Sequence, residues 1–101
     1  MGEWVAVMAF YAAVHSVNAY LWETRRYIPR THRDRRHAIE NDPQISGCGA
    51  SYGTLQDDGY QARYNEGYSL TEQGARDLLE INFRQVEATV MRAQGQPIPV
   101  W

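Results

Sequence analysis

The stretch "WVAVMAFYAAVHSVNAYL" (residues 4–21) sets the period on which the chain is built. Val7, Phe10, Val14, Val17 and Leu21 recur at steps of three and four, which lays them along one stripe of a helix that must face a core. A second stripe, Trp4, Tyr11, His15, Asn18 and Trp22, is aromatic and polar. A helix that is sticky on two sides is buried on two sides, so this second stripe is expected to meet another helix or another subunit. The segment from Glu3 to about Tyr27 therefore reads as one long helix.

Downstream the period stays helical. Pro29 is expected to end the first helix, because proline disfavours helical geometry in the residue before it. Thr31 with Asp34 starts a short helix through Ala38 or Glu40, stopped by Asn41, Asp42 and Pro43. Gly47, Gly49, Gly53 and Gly59 each weaken a helix by roughly 1 kcal/mol relative to alanine, yet Tyr52, Leu55, Tyr60 and Tyr64 leave room for a helical face from about Ala50 to Tyr64. After a loop at 65–68, Ser69 and Glu72 form a second capping box. Leu79, Phe83, Val86 and Val90 then define a last helix ending near Ala93. The expected fold is all-α, a small bundle of three to four helices over residues 1–93, followed by an extended tail at 94–101 that carries Pro97 and Pro99.

Bulk composition narrows the function classes. A chain of 101 residues with 44% apolar and 22% charged residues is an ordinary single-core domain rather than a disordered tail. One cysteine, Cys48, excludes an intrachain disulfide and a multi-cysteine zinc site, and fits a reducing cytoplasm. The apolar run from Val5 to Val14 is broken by His15, Ser16 and Asn18, so it reads as too short and too polar to span a bilayer, and it lacks the flanks of a signal peptide. The expected location is cytoplasmic, with no membrane association and no cofactor.

Charge is distributed unevenly. The net charge is −2, yet "RYIPRTHRDRRH" (residues 26–37) holds five arginines and two histidines. Arg26, Arg30, Arg33, Arg35 and Arg36 could attract phosphates or an acidic protein surface, and the bare count does not distinguish the two. A solvated face is the simpler reading, because no aromatic residue for base stacking accompanies the arginines beyond Tyr27. His32 and His37 likewise read as surface histidines. As metal ligands they are poor, since arginine neighbours repel a cation and no carboxylate or cysteine joins them at a usable spacing. All ten basic residues are arginine, a usage assigned to genome composition rather than to binding.

Three segments together, residues 4–21, "PRTHRDR" (29–35) and "ARYNEGYSLTEQGARDLLE" (62–80), resemble the HEPN domain, the higher-eukaryote and prokaryote nucleotide-binding domain, in its small bacterial form. The tyrosine-alanine helix with its histidine corresponds to Tyr11, Ala12, Ala13 and His15. The threonine-histidine pair corresponds to Thr31 and His32, and the later arginine before a tyrosine-bearing loop to Arg63 and Tyr68. The chain departs from the family in two places. The helix that normally precedes the tyrosine-alanine helix is missing, which strengthens the expectation of a homodimer or a partner protein. The ribonuclease motif, an arginine followed after four to six residues by a histidine, falls on Arg63 with a tyrosine, Tyr68, at the histidine position. Arginine-histidine pairs with that spacing do occur at 25–37, but in the wrong element.

The resemblance implies two classes of function. In one the chain is a catalytically degenerate interaction module in a toxin-antitoxin, phage-defence or counter-defence setting, docking through Trp4, Tyr11, His15, Asn18, Trp22, Tyr60 and Tyr64. In the other it binds or cleaves RNA without metal, with Arg63 on phosphate and His15 or Tyr68 as auxiliary groups. A tyrosine with an unperturbed pKa of about 10 is a poor base, which favours the first class.

Overall fold

Residues 2–97 are described by a computed structural model, in which four helices carry the chain and no strand occurs among the described residues. The fold is an all-α bundle. Helix α1 spans Gly2–Arg25. It ends where Arg26 enters the left-handed region at φ 53°, a conformation usually given to glycine; Pro29 lies beyond and shapes the connection. Helix α2 spans His32–Glu40 and is capped as expected, Thr31 Oγ1 accepting the Asp34 N–H at 3.0 Å. A short 3-10 turn at Ser46–Cys48 leads into α3, Gly49–Tyr64.

Helix α4 runs without a break through Glu72–Asp77, Leu78–Phe83 and Arg84–Ala93, its middle stretch wound as a π-helix. Its N-cap is Thr71, whose hydroxyl accepts the Gly74 N–H at 2.9 Å, and not Ser69. The wider turn of the π stretch shifts the register of the residues after it. Leu78, Val86 and Val90 are buried in consequence, whereas the expected Leu79 and Phe83 are only partly so. At the end of α4 the chain turns at Gln94 and Gly95, where an extended tail was expected; residues 98–101, with Pro99, lie outside the described residues.

The first helix is the spine of the bundle, touching α3 and every part of α4. Its buried face is Ala6, Ala9, Phe10, Ala13, Val14, Val17, Tyr20 and Leu21. Val7 is only half-buried, and the alanines that take its place let the neighbouring helices approach closely. By length and composition alone α1 is also long and apolar enough to cross a membrane, and 44% of that stretch is packed inside the bundle. Its far end is tied to the α2–α3 connection by buried Asp42, which accepts from the Tyr20 hydroxyl at 2.9 Å and the Gln44 N–H at 2.9 Å and pairs with Arg25 at 3.2 Å. The molecule measures 39 × 31 × 17 Å. Trp4, Met8 and Trp22 of α1 stay exposed.

The α3 glycines that weaken the helix locally are explained by contact. A Cβ on Gly59 would lie 2.9 Å from Phe10 Cβ of α1, while one on Gly53 would meet the tip of Arg36 at 2.6 Å. Phe10 is buried and cannot retreat, whereas a guanidinium can swing away. Gly59→Ala is therefore expected to destabilise the fold by about 1–3 kcal/mol through overpacking, more than the roughly 1 kcal/mol that helix propensity returns. Gly53→Ala should be neutral or stabilising, since it costs only a surface ion pair. Urea denaturation of the two variants checks the contrast.

Candidate functional site

Where α1 and α3 meet at Phe10 and Gly59, a groove of about 490 Å³ opens beside the contact and extends to the start of α2. Phe10 and Tyr11 come from α1, His32 from α2, and Gln56, Asp57, Tyr60, Arg63 and Tyr64 from α3. Arg63 lines it beside Tyr11 and Tyr64. Its guanidinium lies 5.6 Å from the ring centre of Tyr11 and 5.3 Å from that of Tyr64, and its Nη1 donates to the Tyr11 hydroxyl. Rings so placed stabilise a cation by their quadrupoles without neutralising it. No carboxylate pairs with Arg63 among the described residues.

Tyr60 and Tyr64 lie 4.9 Å apart at 47° and are 61% and 63% exposed. They were read with Tyr52 and Leu55 as one helical face and as interface residues; Gly59 occupies the core position after Leu55, so Tyr60 and Tyr64 point outward. Trp4 lines a second cleft on the other side of Tyr11 and Arg63, so Arg63 forms the ridge between the two.

His32 is held by a network that begins in the interior. Arg35 is only 6% exposed. Its Nε donates to Asn18 Oδ1 at 2.9 Å, its Nη2 to the Pro29 carbonyl at 3.2 Å, and its Nη1 meets His32 Nδ1 at 3.0 Å. The buried Tyr52 hydroxyl lies within the field of this cation but without the geometry of a hydrogen bond. Because arginine has no acceptor, His32 Nδ1 must receive the bond, and the proton of the neutral ring sits on Nε2. Burial, and then the charges of Arg35 and Arg63, lower the pKa of His32 below its ordinary value. The edge contact with Phe10, 5.1 Å between ring centres, holds the ring in place.

The structure separates the arginines that the sequence presents as one patch. Arg35 is buried and occupied, so it is not available to a partner, and Asn18 serves as its acceptor rather than as a surface contact. Arg25 pairs with Asp42, Arg36 with Asp57 at 3.8 Å, and Arg26 lies over Trp22 at 5.3 Å. Arg30 and Arg33 are exposed. The solvated reading holds for those two and fails for Arg35.

Of the other expected site residues, Tyr68 donates to Asp58 Oδ1 at 3.3 Å, and its pKa is pushed up to about 12 by burial, by Asp58 and by Glu3. It lines neither of the clefts that Arg63 borders. His15 is exposed and also lines neither. His32, read from the sequence as a surface histidine, is exposed as expected, and it lines the same groove as Arg63. Only its place at the capped start of α2 hinted at a fixed orientation. Phe10, Gln56 and Asp57 carried no sequence signal as groove residues.

Among the described residues no three His, Cys, Asp or Glu side chains gather as metal ligands. Cys48 is buried, which pushes its thiol up to about 11. No protein-family model, curated protein or solved structure matches the chain.

Removing the buried cation should release His32. Arg35→Met leaves Asn18 Oδ1 and the Pro29 carbonyl without their donor, at a cost of about 2 kcal/mol or more. The His32 pKa, read from its ring protons by NMR, should rise towards the ordinary value. In the native chain the folded pKa lies below the unfolded value, so His32 contributes a loss of stability as pH falls through about 6.5 and below. That contribution should shrink in the variant.

Proposed function

We propose that the chain is a non-catalytic interaction module that binds a second copy of itself or a larger protein through the α1–α3 groove and its exposed aromatic rim. One observation carries this reading: the groups near Arg63 that could move a proton are committed, while the groups that bind are free. His32 Nδ1 is occupied by Arg35, so the ring offers an N–H and no lone pair. Tyr68 keeps its proton far above neutrality and is bonded to Asp58. Metal-independent RNA cleavage needs a base for the ribose hydroxyl and an acid for the leaving oxygen; His32 supplies neither, and Asp57, the carboxylate in the groove lining, is paired with Arg36 at 3.8 Å. Tyr60, Tyr64, Trp4 and Arg63 remain exposed, and Tyr, Trp and Arg are the residue types enriched at binding hot spots.

The HEPN resemblance supplies the setting for this reading: toxin-antitoxin pairing, phage defence or counter-defence in a bacterial or phage cytoplasm. RNA binding is the second reading, favoured by Arg63 between two rings. It is weakened by the arginines nearby, since Arg25, Arg35 and Arg36 are engaged internally rather than arrayed along a strand path.

Two measurements decide between the readings. End-labelled RNA incubated with the chain in excess EDTA should stay intact with the native protein and with Arg63→Ala alike; cleavage that disappears in the variant would restore the ribonuclease. A photo-crosslinking residue at position 64 should join the chain to protein in cells, whereas one at exposed Arg76 should not. The adduct mass separates self-association from a larger partner.

A further inference from the structure

We propose that the α1–α3 groove takes an extended, acidic segment of a partner protein. One Asp or Glu carboxylate lies on Arg63, with His32 adding an N–H to the same groove, and a neighbouring apolar side chain rests on Tyr60 and Tyr64. This inference rests on the interaction-module reading and names the chemistry of what that module binds.

The groove holds a cation without a counter-charge beside two exposed rings. Arg63 is exposed, supported by two rings and one hydroxyl and paired with no carboxylate among the described residues. Neutral rings leave its charge available, and its planar fork suits a carboxylate. His32 is fixed as a donor on Nε2 by the bond from Arg35, so it adds an N–H to the groove lining. Burial, and after it the charges of Arg35 and Arg63, lower the His32 pKa. A free anion engages the cation alone, whereas a peptide brings a carboxylate and an apolar side chain within a few ångströms of one another, to suit Arg63 and the Tyr60–Tyr64 pair together.

A nucleic-acid strand fits less well. The groove wall also carries Asp57, 75% exposed and only loosely paired with Arg36 at 3.8 Å. A single carboxylate can settle on Arg63 beside it, but a run of phosphates must pass it. Affinity for a strand grows with the number of phosphates neutralised, and the groove holds Arg63 as its one arginine among the described residues.

The test uses the full chain, immobilised, and a random heptapeptide display library, followed by fluorescence anisotropy with the selected peptides and with a hexauridylate RNA. Selected peptides are expected to be enriched in Asp or Glu beside an aromatic or aliphatic residue. Arg63→Gln should weaken them roughly tenfold or more through loss of the charge-assisted bond. Asp57→Asn should strengthen them roughly two- to fivefold by removing a like charge. Both positions are exposed, and circular dichroism confirms that the variants fold. On binding, the His32 ring resonances should shift and its pKa should rise as the carboxylate offsets the arginines.

Peptides with no acidic preference, or acidic peptides indifferent to both substitutions, would overturn the acidic class and leave the interaction module standing on its cross-link from position 64. An empty selection would overturn the inference in the same way. Hexauridylate binding that Arg63→Gln abolishes, with no peptide selected and no protein cross-link, would overturn the inference and the reading beneath it together.

Discussion

The contact between Phe10 and Gly59 is the constraint on which the rest of the molecule depends. With only a hydrogen where other residues carry a Cβ, α3 approaches α1 until an added methyl would sit 2.9 Å from Phe10 Cβ. That approach lets Tyr52 and Leu55 bury against α1. It also sets the phase of the last turn of α3. Because residue 59 faces the core, residues 60 and 64 face solvent and residue 63 meets Tyr11. One close contact thus produces both the hydrophobic core and the aromatic rim of the groove.

Arg35 is the second fixed point, and its energetics differ from those of a buried ion pair. Its partners are the amide oxygen of Asn18, the Pro29 carbonyl and an imidazole nitrogen, none of them charged. Desolvating a guanidinium is unfavourable, and neutral acceptors offset it only when they come in several well-placed copies. The gain is positional. The three bonds join α1, the α1–α2 connection and the first residue of α2, so a nine-residue helix too short to be stable alone is held in one orientation. The orientation that places His32 on the groove also occupies its Nδ1 lone pair. Burial is the larger cause of the lost basicity of His32, and the charge of Arg35, which also fixes the ring, adds to it.

Much of the fold was legible because helix period and capping are local. The α1 stripe, the Thr31 cap and the α3 and α4 spans follow from spacings of three and four and from side chains that reach their own backbone. The failures share a cause: each needed knowledge of what lay opposite. Leu79 and Phe83 lose the core to Leu78 because a π stretch changes the register, and nothing in "LLEINF" announces it. Tyr52, Leu55, Tyr60 and Tyr64 look like one face until Gly59 is seen against Phe10. The arginine-rich stretch looks uniform because charge is visible in a sequence while its partners are not. Asn18, on the stripe expected to meet another helix or another subunit, is the acceptor through which α1 holds buried Arg35 of α2.

The groove itself was the least legible feature, and its reason is geometric. It draws on three helices, and two of its lining residues, His32 and Arg63, are separated by the whole of α2, a turn and α3. A spacing rule of four to six residues finds pairs within one element, so it matched arginines to His32 and His37 at 25–37, while the resemblance that singled out Arg63 paired it with Tyr68 rather than with His32. In the folded chain the arginine bound to His32 is Arg35, three residues away, and it binds through the nitrogen that catalysis would need. Arg63 lines the same groove, held by rings that leave its charge available. The proposed recognition of an acidic segment rests on this division of labour: the bond that fixes His32 takes its Nδ1 lone pair and turns its N–H to the groove, while Arg63 is steadied by neutral groups and pairs with no carboxylate among the described residues.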